Sequence, residues 1–275
     1  ERQVKPHNMA RVISAVIFIP ILLAVIWLAP PIVFTALIGL ATILGLLEFR
    51  NLAKHLSLNT SAIPMLAAGL ALLAAFHCLK FDLIPPVVAA LVVLSLTLQL
   101  FFNRDLSKAM QNSAAELFGV GWVALLGGYL VALRVAPEAA LAPRLISLFL
   151  LIVFAGDTGA YYAGRNFGRH KLAPSISPGK TIEGLIGGLI ANILAVVIAH
   201  YTFFPTLQLV TAIPLALLMG ALGVIGDLCE SMLKRGSGVK DAANLIPGHG
   251  GILDRLDSIL FNAPVIFYYY QFFIR

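Results

Sequence analysis

Charge is what this chain has least of. Acidic and basic side chains make up 12% of its 275 residues while apolar residues make up 60%, against roughly 25% charged residues in soluble domains. That balance excludes an ordinary soluble fold. Cysteine is nearly absent as well: Cys78 and Cys229 are the two in the chain, and neither has a CxxC partner. A disulfide framework and a cysteine-based zinc site are thereby excluded. The chain lacks the alternating ten-residue segments of a β-barrel, an internal repeat, and the GxxxxGK[ST] spacing of a P-loop. The net charge of +6 would point to nucleic acid in a soluble protein. Here the basic residues read as anchors of cytoplasmic loops beside anionic lipid, and no nucleic-acid partner is expected.

What is present is long hydrocarbon. Apolar runs at about 12–29, 31–48, 61–79, 83–101, 114–133, 144–164, 183–203, 211–229 and 257–274 predict an all-α, polytopic integral membrane bundle of about nine transmembrane helices. With the N-terminus in the cytoplasm, 15 of the 19 Lys and Arg fall inside, leaving Lys80, Arg134, Arg144 and Arg275 outside. That is a strong positive-inside bias. The first run follows Arg2, Lys5 and Arg11 but ends without a small-residue cleavage site, so it reads as a retained helix. Met9-Ala10-Arg11 has the form of a natural start, which leaves residues 1–8 of the N-terminal segment 1–11 as either a non-native remnant or an upstream extension. Residues 12–143 read as a transmembrane scaffold, with Glu48, Asn51, Asn112 and Glu116 as interface anchors near span ends. Residues 144–275 read as the catalytic region, with two polar loops, 165–182 and 230–256, on the cytoplasmic side.

Three polar constellations stand out. In the first, Asp157 and Tyr161 are four residues apart and share a helix face, and Gly156, Gly159 and Gly164 keep that helix slim. In the second, Ser177-Pro178-Gly179-Lys180-Thr181 sets a lysine beside a helix start, where unpaired N–H groups favour an anion and Thr181 can cap or bind. The third, Gly226 to Asp257, packs five carboxylates, four fixed cations, His249 and six glycines between two apolar segments. Asp227, Glu230 and Lys234 fall at i, i+3 and i+7, one helix face, and Asp254 and Asp257 at i and i+3 where the last span begins. Converging carboxylates without a Cys or His cluster suit a hard cation such as Mg²⁺. Lys234, Arg235, Lys240 and Arg255 supply positive charge for phosphates. That set fits metal-assisted phosphoryl or nucleotidyl transfer.

The same residues carry a resemblance. Ser231-Met-Leu-Lys234-Arg235, Lys240-Asp241 and Pro247-Gly-His249-Gly-Gly-Ile-Leu-Asp254-Arg255-Leu-Asp257 resemble the signature of the phosphatidate cytidylyltransferase (CDP-diacylglycerol synthase) family. Asp157 to Tyr161 and Ser177 to Thr181 match further family segments, with Gly at 179 where many members have Lys. The resemblance covers roughly residues 150–260. It implies a membrane enzyme joining CTP to phosphatidate, giving CDP-diacylglycerol and pyrophosphate. It also implies Mg²⁺ dependence, K⁺ as a second metal, and a homodimer. Metal is then expected on Asp227, Glu230, Asp254 and Asp257, with Lys234 and Arg235 assisting the chemistry. Substrate contacts are expected from Asp157, Tyr161, Ser177, Lys180, Thr181, Lys240, Asp241, His249 and Arg255. The expected location is a bacterial inner membrane with the site facing the cytoplasm. Two rival readings are a CTP-dependent kinase of a polyprenol-type lipid and an anion or metal transporter.

Overall fold

An apolar chain in lipid must satisfy its backbone internally, and helices do this. The computed structural model describes residues 20–102, 105–239 and 251–275. Helix α1 covers 20–28, α2 Pro31–His55, α3 Ala62–His77, and α4 Ile84–Phe102 after a short turn at Phe81–Leu83. One continuous stretch then holds α5 (Ala109–Gly119), a π-helical turn (Val120–Leu125) and α6 (Leu126–Val135). Helix α7 spans Leu141–Phe167, α8 Ile182–Tyr201 and α9 Leu209–Gly236. Helix α10, Leu253–Tyr269, runs on into a π-helical end at Tyr270–Ile274. Among the described residues, six stretches are long and apolar enough to cross a membrane: 31–55, 81–102, 106–135, 141–167, 182–201 and 209–236.

Each apolar run read from the sequence falls on a helical stretch, the first from residue 20 onward. The extents differ where polar residues continue a helix. Helix α2 runs on to His55, α9 to Gly236, and α10 begins at Leu253, so Asp254 lies in its first turn. The all-α expectation holds, and one loop adds a short pair of strands. The 165–182 loop folds as an antiparallel hairpin, β1 (Lys171–Ala173) against β2 (Ser177–Thr181), with Lys171 opposite Thr181 and Ala173 opposite Ser177.

Helices α7 and α8 approach closely through small residues. A Cβ on Gly159 would lie 2.5 Å from Ala191 Cβ and 2.7 Å from the Gly187 carbonyl oxygen. Helices α9 and α10 meet similarly, since a Cβ on Gly226 would lie 2.7 Å from the Asp257 carbonyl oxygen. The main apolar core gathers Phe76, Leu133, Leu145, Phe149, Ile152 and Val196, all essentially inaccessible. Three residues read as interface anchors are instead buried structural acceptors: Glu48 and Glu116 at 0% exposure and Asn112 at 1%. Asn112 Oδ1 accepts from Asn59 N–H at 2.9 Å and Glu116 Oε1 from Ser61 N–H at 2.6 Å. A buried carboxylate needs donors, and helix starts supply them.

Candidate active site

The end of α7, the hairpin, the start of α8, the end of α9 and the start of α10 enclose one cavity of about 450 Å³. Local sequence explains how the hairpin is held. Thr181 is extended (φ −130°, ψ 156°) and its hydroxyl accepts from Gly184 N–H at 3.1 Å, an N-cap for α8. Glu183, in the first turn, accepts from the backbone N–H of Arg169 (3.0 Å) and pairs with His170 Nδ1 at 2.6 Å. These two residues fix the hairpin's base, so Lys180 is directed into the cavity, 2.6 Å from Asp227.

Across the cavity, α9 and α10 contribute the acids. Asp227, Glu230 and Asp257 each place a carboxylate oxygen within 4.8 Å of the other two. Three oxygens bound to one Mg²⁺ at about 2.1 Å lie at most about 4.2 Å apart, so small side-chain rotations bring this trio to binding distance. Glu230 is 2% exposed, and its Oε1 is buried with no hydrogen-bond partner. A buried, unpartnered carboxylate oxygen beside two further carboxylates is a donor set that fits a hard divalent cation. Lys234 bridges Glu230 (2.6 Å) and Asp254 (2.5 Å). Asp254 also accepts from Gly251 N–H through Oδ2 at 2.8 Å, so both its oxygens are engaged. Five carboxylates (Asp157, Asp227, Glu230, Asp254, Asp257) thus meet three cations, Lys180, Lys234 and Arg165, at this site. An excess of buried negative charge calls for added cations.

The expected site residues divide as follows. Asp157, Tyr161, Lys180, Thr181, Asp227, Asp254 and Asp257 line the one cavity. Glu230 and Lys234 stand behind it on α9. Tyr161 is exposed at the mouth, where its hydroxyl accepts from Arg165 Nη1 at 3.0 Å. Ser177 starts β2, and Arg235 and Arg255 are exposed; none of the three lines the cavity. Lys240, Asp241 and His249 lie outside the described residues. Sequence reading missed Glu183, Ser258 and Glu48. Ser258 lines the cavity, its N–H donates to Asp257 Oδ1 at 2.6 Å, and its hydroxyl donates to the Gly223 carbonyl at 3.2 Å. Glu183 carries a readable signal, an acid in the first turn of a capped helix. A second, smaller cavity of about 30 Å³ lies beneath the first, against Asn192 and Asn262.

Known proteins place the whole arrangement. The model of the cytidylyltransferase family matches residues 9–273. The phosphatidate cytidylyltransferase of Pseudomonas aeruginosa is 35% identical over 261 residues, 93% of this chain and 94% of that one. That of Synechocystis is 33% identical over 286 residues, covering 94% and 95%. The Haemophilus influenzae protein of the same name is 48% identical over 132 residues, and that alignment spans 46% of each chain. Since the match runs from before α1 to the π-helical end of α10 and takes in every element around the acidic cavity, the chain belongs to the cytidylyltransferase family.

Proposed function

We propose that this chain is a phosphatidate cytidylyltransferase, an integral membrane enzyme forming CDP-diacylglycerol and pyrophosphate from CTP and phosphatidate. The carrying observation is the meeting of Asp227, Glu230 and Asp257 with Lys180 and Lys234 at one cavity, within a family match over residues 9–273. In this reaction a phosphatidate oxygen forms a bond to the α-phosphorus of CTP. The bond between that phosphorus and the α–β bridging oxygen breaks, and pyrophosphate leaves with the electron pair. The attacking phosphate is already anionic, so no strong base is needed. The obstacle is bringing two polyanions together.

A bound divalent cation supplies charge neutralisation for the reacting phosphates; Mg²⁺ is the proposed ion, with K⁺ as the second metal implied by the family resemblance. Asp227, Glu230 and Asp257 are the residues that would hold it. Lys180 reaches the cavity from β2, where it pairs with Asp227, and provides a cation for the triphosphate. Lys234 keeps Asp254 oriented at the start of α10. Asp157 and Tyr161 on α7, Thr181 and Ser177 on the hairpin, and Arg255 with Lys240, Asp241 and His249 are assigned to substrate contact, and Arg235 to the pyrophosphate side. The acyl chains stay in the bilayer and approach between helices, while CTP arrives from the cytoplasm. A homodimer in a bacterial inner membrane completes the reading; it is supported by the family resemblance and by the bacterial relatives.

The test is purified protein with labelled CTP and phosphatidate, with and without Mg²⁺. CDP-diacylglycerol and pyrophosphate should form in equal amounts, and only with the metal. CDP with a newly phosphorylated lipid would mean a kinase instead.

A further inference from the structure

We propose that Glu48, on α2 in the opposite half of the chain, is a positioning residue that sets where α10 presents Asp257 to the carboxylates of α9. The inference rests on the metal reading of the carboxylate trio. It does not need the substrates to be those proposed above.

Glu48 is 0% exposed, and Gly45, one turn earlier, packs against Val123 and Leu253. A carboxylate buried among such groups is retained only if donors satisfy it. Its Oε1 accepts from Ile252 N–H at 2.8 Å and its Oε2 from Leu253 N–H at 2.9 Å. Ile252 is the N-cap of α10 and Leu253 its first helical residue. A helix start has unpaired N–H groups and the positive end of the backbone dipole, so a carboxylate there is doubly favoured. The next N–H upstream, of Gly251, donates to Asp254 Oδ2 at 2.8 Å. Three successive N–H groups are thus held by two carboxylates, one of which comes from 204 residues away.

Both oxygens of Glu48 are used on backbone, and Glu48 does not line the cavity. Its effect passes through α10. Clamping two consecutive N–H groups fixes the rotation of the first turn about the helix axis. Asp257 lies one turn on and must bring an oxygen within 4.8 Å of Asp227 and Glu230. Gly251 is part of the device, because a Cβ there would lie 2.7 Å from Glu48 Oε2, its nearest neighbour, and displace it, with Asp254 Oδ2 also near at 3.3 Å.

Glu116 is an internal control. It too is buried and accepts from a backbone N–H at a helix start, that of Ser61 before α3, but α3 contributes nothing to the acidic cavity.

The experiment uses the full chain in detergent and Mn²⁺ titration followed by electron paramagnetic resonance, without substrates. Thermal unfolding and Mg²⁺-dependent product formation are measured alongside. Glu48→Gln loses one of the two accepted bonds and should weaken Mn²⁺ binding about tenfold, the effect of losing an outer support of a metal ligand. Gly251→Ala keeps the Glu48 charge and should weaken binding in the same direction, which separates positioning from charge. The two together should cost less than the product of their separate effects, because they act on one contact. Glu116→Gln should lower the unfolding temperature and leave Mn²⁺ affinity as in the wild type. A folded Glu48→Gln with wild-type Mn²⁺ affinity, or equal losses of affinity in Glu48→Gln and Glu116→Gln, overturns the proposal. So does loss of folding in both Glu48→Gln and Gly251→Ala, which would make Glu48 a plain anchor of the fold. Weakened Mn²⁺ binding beside a wild type that makes no CDP-diacylglycerol would leave Glu48 its role and remove the proposed reaction.

Discussion

Asp254 and Asp257 are three residues apart on α10, yet their surroundings differ. Asp257 is 8% exposed and joins Asp227 and Glu230, while Asp254 spends its oxygens on Lys234 and the Gly251 N–H. Asp257→Asn should therefore remove a metal-holding oxygen. The expected loss is several kcal/mol of charge stabilisation, roughly a thousandfold in turnover, with Mn²⁺ affinity falling in parallel. Asp254→Asn should also lose turnover, but with Mn²⁺ affinity nearly kept. Parallel loss of affinity in both variants would make Asp254 a ligand after all. The carboxylate cluster was legible because its members sit within one short run at helical spacing. Glu48 was not: an acid between Leu47 and Phe49 looks like a span-end anchor, and its partners lie 204 and 205 residues away. Spacing shows which residues share a face, never which distant N–H a face will meet.

The elements around the site depend on how closely α7 and α8 can approach. A Cβ on Gly159 meets the Gly187 carbonyl oxygen, a backbone atom with little freedom to yield. Gly159→Ala should force the two helices apart at an overpacking cost of about 1–3 kcal/mol. It should lower the unfolding temperature and also turnover, since Asp157 and the Lys180 hairpin ride on these helices. Unchanged unfolding and turnover would show that the contact relaxes freely. Helix existence was legible from apolar length. Helix ends were not, because α2, α9 and α10 continue through polar residues that carry no hydrophobic signal. The hairpin was illegible for another reason: strands of three and five residues around Pro174 and Pro178 are too short for a pattern, and Thr181 and Glu183 hold them from α8.

For the whole molecule, the connections at the two ends of the helices differ in kind. Glu48, the hairpin and the starts of α8 and α10 gather at the cavity end. At the other end Arg134 donates to the Ala29 carbonyl at 2.8 Å and His200 Nδ1 pairs with the Leu207 carbonyl at 2.9 Å. The surplus of Lys and Arg read from the sequence falls on the loops at the cavity end, which supports the proposal that the cavity faces the cytoplasm. Two cysteines can test this. Cys78, exposed at the C-cap of α3, belongs to the end away from the cavity. A cysteine at Ser175, exposed in the hairpin turn, belongs to the cavity end. With Cys229 replaced by Ala, and each probe cysteine present alone, a membrane-impermeant maleimide should label Cys78 from outside intact spheroplasts. Ser175→Cys should be labelled only in inverted vesicles. An even number of spans between residues 78 and 175 would put both labels on one side. That result would break the parity of the bundle, and labelling of Ser175→Cys from outside intact spheroplasts would overturn the proposed cytoplasmic orientation of the cavity.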